Sequence, residues 1–200
     1  KDYWLERLPD LPPAPELPLR VRPGSIGRPE YVRREMRLPG ETWSRLKGQA
    51  ARLDLTPSGL LLAVFAEVLA VWSKKPRFTI NLTLFNRLPL HPQVNDLAGD
   101  FTSVTLLEVD RPAGGSFEAQ ARRLQQQLWR DLDHRYFSGI RVLREWARAQ
   151  KEEPRALMPV VFTSILNIND ADDPVRWSSR LGKLADAISQ TPQVYLDCQV

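Results

Sequence analysis

The chain has 200 residues, a net charge of +4 and one cysteine, which allow one domain or one large lobe and exclude a disulfide framework. The single cysteine fits a reducing, cytoplasmic compartment, and no apolar run approaches the ~20 residues of a membrane span, because Glu67 interrupts Leu60–Trp72. Most of the 28 basic residues are scattered arginines, which is typical of solvated surface, so we expect neither nucleic acid nor membrane as a partner.

The N-terminal part of the chain is rich in proline. Lys1 begins in what reads as a helix, and prolines then recur through residues 8–29. Such a segment is extended and cannot form a ladder in the centre of a sheet. It is either a linker or a bridge that carries the chain in from a preceding lobe. Because Val200 stops inside a strand pattern, we expect the chain to be an excised part of a longer polypeptide.

Two strands and two helices are predicted next. Tyr31–Leu38 alternates and reads as a strand, with arginines typical of a sheet edge. Glu41–Leu53 has the apolar spacing of an amphipathic helix. Thr56 as N-cap and Pro57 at the first helical position begin a helix that runs to Trp72 and is apolar nearly all round, so we expect it to lie in the core. Arg77–Phe85 alternates as a strand with one apolar and one partly polar face.

A loop rich in polar side chains follows that strand. Asn86 and Asn95 lie in it, and their amides could either hydrogen-bond to a substrate or cap turns. The stretch from Gly99 opens another strand that runs to Val109. Asp100 sits at its start, either as a turn residue that caps backbone amides or as a residue with a direct role at a site.

Two helices and a polar interval come before the last strands. Apolar residues have helical spacing in two stretches, Ser116–His134 and Ser138–Gln150, with arginines and glutamines on the solvent-exposed face. Asn167–Arg180 is polar and holds three aspartates, at positions 170, 172 and 173. The spacing of an EF-hand and its glycine and glutamate are missing, so we predict a solvated loop and no metal.

The last two strands carry polar groups among apolar neighbours. In the first, Thr163 lies on the face opposite Ser164, and both faces are otherwise apolar, so a buried hydroxyl there needs a partner. In the second, Asp197 shares a face with Gln199. Cys198 points to the other face and is expected to be a packing residue. We predict that Thr163 and Asp197 face one reaction channel.

The motifs in these strands resemble a known family. VVFTS and SQTPQVYLDCQV are similar to the last two core motifs of the heterocyclization domains of nonribosomal peptide synthetases, which are variants of the condensation domain. Earlier stretches agree in order, at Leu8–Leu19, Thr56–Ser73 and Leu84–Asp110. The resemblance implies an α/β fold, a mixed sheet with packed helices, like the C-terminal lobe of the chloramphenicol-acetyltransferase-like condensation fold. It favours residues 1–30 as the bridge from a preceding lobe and residues 31–200 as the lobe.

The resemblance also implies an activity in two steps. The amine of a carrier-bound Cys, Ser or Thr, with Cys favoured, attacks an upstream acyl thioester, and its side chain then attacks the new amide, so that water leaves and a thiazoline or oxazoline remains. No metal, ATP or cofactor bound by the lobe is implied. Substrates arrive on the phosphopantetheine of upstream and downstream peptidyl or aryl carrier domains, beside the preceding lobe and an adenylation domain. An ordinary condensation or epimerization lobe, or a non-catalytic lobe that docks carriers, are the alternatives.

Two residues are the candidates for catalysis of ring closure. Asp197 would take the proton of the attacking thiol or hydroxyl and return it to the leaving oxygen, and apolar neighbours would favour its protonated form if they desolvate it. Thr163 would donate to that carboxylate or orient the leaving hydroxyl. Cys198 stands where the family pattern usually has His. We also expect substrate-binding or supporting roles for six residues: Asn86, Asn95, Asp100, Ser164, Gln190 and Gln193.

Overall fold

Among the described residues, the sheet has four strands in a mixed arrangement. The computed structural model describes residues 1–21, 25–27, 30–112, 114–150, 158–166, 191 and 193–200. The strands are β1 (Arg77–Phe85), β2 (Thr102–Asp110), β3 (Val160–Thr163) and β4 (Leu196–Gln199), in the spatial order β2-β1-β3-β4. β2 is antiparallel to β1, whereas β3 and β4 run parallel to it. With the helices packed on it, this sheet agrees with the predicted α/β class.

In the described part of the chain, five α-helices accompany the sheet: α1 (Asp2–Arg7), α2 (Gly40–Arg52), α3 (Pro57–Trp72), α4 (Phe117–Asp133) and α5 (Gly139–Gln150). The predicted cap of α3 is present, since Oγ1 of Thr56 accepts a hydrogen bond from the amide of Gly59 at 2.9 Å. Short 3-10 helices cover Leu8–Asp10 and Val94–Asp96. The sequence therefore marks where most elements begin and end.

The sheet has two differently covered sides. On the side called here the α3 side, Ile80, Leu82 and Phe162 pack against α3 and α4. On the opposite side, the α5 side, Leu106 packs against Trp4 of α1 and Val142 of α5. β-strand alternation places Thr79, Asn81 and Thr83 of β1 on the α5 side. The end of the sheet where β1, β3 and β4 finish thus has a polar row on this side.

The predicted strand Tyr31–Leu38 is wrong, since these residues form no regular secondary structure and pair with no strand of the described residues. Every residue of this stretch is exposed, Val32 to 74% and Met36 to 83%, so the alternation buries neither of its faces. A strand needs neighbouring backbone groups and a covered face as well as an alternating pattern. Alternation alone over-predicted structure here.

Helix α3 is less covered than its composition predicts. Leu62, Ala66 and Leu69 are buried, but Val71 is 70% exposed and Trp72 is 63% exposed. A helix that is apolar all round is expected to lie under other elements, and the described residues cover only one side of it. Among those residues no single helix is long and apolar enough to cross a membrane. Helices α2 and α3 taken together, with a bend of 94° between them, reach the length and apolar composition of a membrane span.

The proline-rich segment lies against the first half of β1. The backbone amide of Thr79 donates to the carbonyl of Pro13 at 2.8 Å, and its hydroxyl donates to the carbonyl of Pro12 at 2.7 Å. β3 pairs with β1 only at Asn81, Leu82 and Thr83. The proline carbonyls therefore accept hydrogen bonds from a part of β1 with which β3 does not pair.

A close approach between α5 and β2 requires glycine at the start of α5. A Cβ on Gly139 would lie 2.9 Å from the carbonyl oxygen of Val104 and 3.2 Å from Cα of Thr105, and neither backbone atom can turn aside. We expect Gly139→Ala to lower the free energy of unfolding by about 1–3 kcal/mol. Gly48, exposed in α2 with nothing within 4 Å of its Cβ position, is the control, and Gly48→Ala should raise that free energy by about 0.5–1 kcal/mol.

Equilibrium urea denaturation of the two variants measures both effects. Equal stability of Gly139→Ala and Gly48→Ala would contradict the close approach of α5 to β2.

Candidate active site

The candidate residues gather at one edge of the sheet. Because β1, β3 and β4 are parallel, their carboxyl ends meet at the same edge. Thr163 ends β3, and Asp197 lies near the end of β4. The loop after β1, residues 86–101, begins at this edge and returns to it at Thr102. Carboxyl ends of parallel strands are common places for ligand sites in α/β folds.

The register places Thr163 and Asp197 on the same side of the sheet. Thr163 is opposite Gln199 on β4, and Asp197 is opposite Val161 on β3. Thr163 is also opposite Thr83 on β1, which lies on the α5 side. Strand spacing and rise put the Cα atoms of Thr163 and Asp197 about 8 Å apart along the diagonal. That separation leaves room for a substrate atom between the two side chains.

Thr163 has a fixed hydrogen-bond partner. Its hydroxyl donates to Oγ1 of Thr83 at 2.9 Å, and both side chains are partly buried. The expectation that a hydroxyl in this strand needs a partner is met by Thr83. Sequence reasoning did not single out Thr83, although its place on the polar face of β1 was a usable signal.

Asp197 is exposed, and its carboxylate accepts a hydrogen bond from the side-chain amide of Gln199 at 2.7 Å. The described residues therefore do not desolvate this carboxylate, which was the condition for favouring its protonated form. Gln199 lies opposite Thr163 on the neighbouring strand and is hydrogen-bonded to Asp197, so it lies between the two candidate catalytic residues. Its spacing of two from Asp197 was the signal that could have identified it.

Cys198 lies on the other side of the sheet, as predicted. It is opposite Phe162 and packs against the core on the α3 side. Burial raises the pKa of its thiol, and the charge of neighbouring Asp197 raises that pKa further. A thiol held in its neutral form within apolar surroundings acts as a packing group.

The loop of residues 86–101 is held together by Arg87. Its guanidinium lies 4.0 Å from the ring centroid of Phe101 and donates to the carbonyl of Leu97 at 2.9 Å and to that of Val94. The amide of Asn86 donates to the carbonyl of Phe101 at 3.0 Å, which closes the base of the loop. Arg87 was not singled out from the sequence, since an arginine in a polar loop normally indicates solvated surface.

The polar residues of this loop differ in whether they have a hydrogen-bond acceptor available for a substrate. Among the described residues no partner reaches Oδ1 of Asn86, although that atom is buried. Asn95 is exposed in the 3-10 helix Val94–Asp96. Asp100 is exposed, and its pKa is lowered by hydrogen bonds that its carboxylate accepts from the Thr102 hydroxyl and from the Thr102 backbone amide, the latter at 2.8 Å. Asp100 therefore has the geometry of a turn cap, while Asn86 has a free acceptor.

The remaining predicted residues do not join Thr163. The hydroxyl of Ser164 lies 2.8 Å from that of Ser58, in the first turn of α3, which places it on the α3 side. Gln193 is exposed in the turn before β4. Gln190 lies outside the described residues, as do the three aspartates at 170, 172 and 173. No group of three or more His, Cys, Asp or Glu side chains is placed to share a metal ion within the described ranges.

A cavity of about 270 Å³ lies elsewhere, between α3, α4 and the end of β2. Ala66, Arg111 and Leu124 are among its lining residues, and Arg111 forms an ion pair with Glu67 at 2.9 Å beside it. None of its lining residues is a candidate site residue. Thr163 and Asp197 instead lie on the face of the sheet at its carboxyl edge.

Known proteins are similar to this chain along its whole length. The family model for the condensation domain matches residues 1–179. Pyochelin synthetase PchF of Pseudomonas aeruginosa is 44% identical over 207 residues, covering 100% of this chain and 11% of that protein. Phenyloxazoline synthase MbtB of Mycobacterium tuberculosis is 40% identical over 200 residues, covering 100% of this chain and 14% of that protein. The chain thus spans a small part of these curated relatives.

A solved structure supports the same relationship. The EpoB cyclization-docking bidomain from Sorangium cellulosum is 45% identical to this chain and matches its fold with a TM-score of 0.84, covering 99% of this chain and 40% of that chain. The predicted condensation-fold lobe is therefore confirmed. The chain belongs to the condensation-domain family, and within it to the C-terminal lobes of the heterocyclization domains of nonribosomal peptide synthetases.

Proposed function

We propose that this lobe, with the preceding condensation-fold lobe, forms an amide between two carrier-bound substrates and then closes a thiazoline or oxazoline ring. The observation that carries the proposal is the placement of Thr163 and Asp197 on one side of the sheet at its carboxyl edge. The printed names of the relatives, a cyclization bidomain and a phenyloxazoline synthase, support ring formation. Upstream and downstream carrier domains would deliver both substrates on phosphopantetheine, beside an adenylation domain.

Ring closure needs two protons to be moved. As the thiol or hydroxyl attacks the amide carbon, Asp197 takes its proton, the new C–S or C–O bond forms, and the carbonyl oxygen takes the proton to become a hydroxyl. Asp197 then takes the N–H proton and passes it to that hydroxyl, which leaves as water while the nitrogen electrons form the C=N bond. Asp197 therefore ends as the carboxylate that it was at the start. One carboxyl that alternates between base and acid suffices for these transfers.

The exposure of Asp197 bears on when this chemistry can occur. A carboxyl in water is a weak general acid near neutral pH, and desolvation favours its protonated form. In this proposal the preceding lobe and the tethered substrate cover the carboxyl edge and supply that desolvation. Asn86, whose buried Oδ1 lacks a partner among the described residues, would accept a substrate N–H, with Asn95 as a second amide at the same loop.

The test is Asp197→Asn in the complete synthetase with loaded carrier domains. Asparagine keeps the shape but cannot carry the proton, so ring closure should fall by at least about 100-fold while amide formation continues. Mass spectrometry of carrier-bound products separates the linear amide from the ring, which is lighter by one water. Asp110→Asn, an exposed aspartate at the other end of β2, is the control and should change neither step.

Equal loss of both steps in Asp197→Asn would contradict the assignment of Asp197 to ring closure. An unsubstituted protein that yields only linear amide would indicate an ordinary condensation lobe, and one that yields no product would indicate a lobe that only docks carriers.

A further inference from the structure

The hydroxyl of Thr163 is engaged by a second threonine. The two Oγ1 atoms of Thr163 and Thr83 lie 2.9 Å apart, and these residues are direct register partners across β3 and β1. Both side chains are partly buried, and β-branched side chains have few χ1 choices in a strand. The strand register and the limited choice of rotamers therefore fix this contact, which two fully exposed hydroxyls would not share.

This contact decides what Thr163 presents to the face of the sheet. A threonine hydroxyl has one proton to donate and two lone pairs to accept with. With the proton directed at Thr83, only lone pairs of Thr163 remain for a third group. A partner that carries its own proton, such as the hydroxyl of a tetrahedral intermediate, fits that arrangement. A carboxylate, which has only lone pairs, does not.

Among the described residues, the other neighbours of Thr163 on this face form no hydrogen bond with its hydroxyl. Val161, two residues earlier on β3, has no polar group. Gln199, opposite on β4, donates its side-chain amide to Asp197. Asn81, opposite Val161 on β1, donates its side-chain amide to the carbonyl of Met158 at 2.8 Å. Within the described residues, Thr83 is therefore the side chain placed to set the direction of the Thr163 hydroxyl.

We propose that Thr83 is a positioning residue for the ring-closing step and acts through Thr163 without touching the substrate. By accepting the Thr163 proton, it fixes Thr163 as the acceptor that holds the O–H of the tetrahedral intermediate beside Asp197. This inference rests on the proposed function. It also selects one of the two roles open to Thr163, orientation of the leaving hydroxyl, over donation to the carboxylate.

The experiment compares Thr83→Val with Thr83→Ser in the complete synthetase with loaded carriers. Valine keeps the branched shape and removes the acceptor, so ring closure should slow about tenfold, the scale of one lost hydrogen bond. Serine keeps the hydroxyl and should stay within about threefold of the unsubstituted rate. Amide formation should be unchanged in both, which a purely structural defect would not give.

Two further substitutions test whether Thr83 acts through Thr163. Thr105→Val removes a buried hydroxyl on the α3 side of the same sheet, one that has no partner among the described residues, and should leave the ratio of ring to linear product unchanged. Thr163→Val alone should slow ring closure selectively. Combining Thr83→Val with Thr163→Val should add no further loss, because two residues that act as one unit are non-additive.

The outcomes distinguish the two proposals. Selective slowing by Thr163→Val without any effect of Thr83→Val would overturn the role of Thr83 alone. Equal slowing of both steps by Thr83→Val, or additive losses in the double variant, would overturn it as well. Absence of a selective effect for both Asp197→Asn and Thr163→Val would overturn the proposed function together with the role of Thr83.

Discussion

Replacing Trp4 by alanine is expected to lower the free energy of unfolding by about 3–5 kcal/mol. The indole is 1% exposed and packs with Leu8, Leu106 and Val142 on the α5 side of the sheet. Its Nε1 also donates to the carbonyl of His134 at 3.2 Å. The substitution therefore opens a cavity and removes a hydrogen bond that ties α1 to the end of α4.

Trp129→Ala is the matched control, because Trp129 lies on α4 and is 51% exposed. It should cost no more than about 1 kcal/mol. Urea denaturation followed by far-ultraviolet circular dichroism measures both variants without relying on tryptophan fluorescence. Similar losses for the two would show that α1 is not an integral part of the core.

Asp131→Ala is expected to cost about 3–5 kcal/mol, because it leaves buried donors without their shared acceptor. The side chain of Asp131 is 0% exposed, and its Oδ1 accepts from Tyr3 at 2.6 Å, from Gln127 at 2.9 Å and from Arg7. Arg7 also pairs with Glu108 at 3.1 Å. Burial raises the pKa of the Asp131 carboxyl, while the hydrogen bond from Tyr3 and the charge of Arg7 oppose that rise.

Glu118→Ala provides the contrast, since the side chains of Glu118 and its partner Arg122 are 48% and 42% exposed. Solvent screens such a pair, and its loss should cost no more than about 0.5 kcal/mol. Asp131→Asn should fall between the two, because the amide oxygen still accepts from Tyr3 but carries no charge for Arg7. A loss in Asp131→Ala as small as that in Glu118→Ala would contradict a stabilising network.

Local rules of sequence placed most elements correctly. Thr56 and Pro57 mark the start of α3 because a cap and a fixed φ act within one turn. Arg77–Phe85 matches β1 residue for residue, since its alternation coincides with a covered face. Tyr31–Leu38 alternates equally well, but nothing in the sequence reveals that it pairs with no strand of the described residues.

The candidate site was only partly accessible to the same reasoning. Alternation puts Asp197 and Gln199 on one face of β4, but the pairing of β3 with β1 that brings Thr163 to Thr83 is a tertiary property. The exposure of Asp197 likewise depends on which elements cover the carboxyl edge of the sheet, and that is also a tertiary property. The cluster around Asp131 joins residues more than 120 positions apart, and their spacing along the chain carries no trace of it.

The prolines beside β1 have a consequence for self-association. A strand edge with free amides and carbonyls is a template onto which another chain can add. Pro12 and Pro13 turn their carbonyls toward Thr79 and have no N–H groups of their own to offer outward. This flank of the sheet is thus closed by residues that a further strand cannot pair with in register, which protects it against edge-to-edge aggregation.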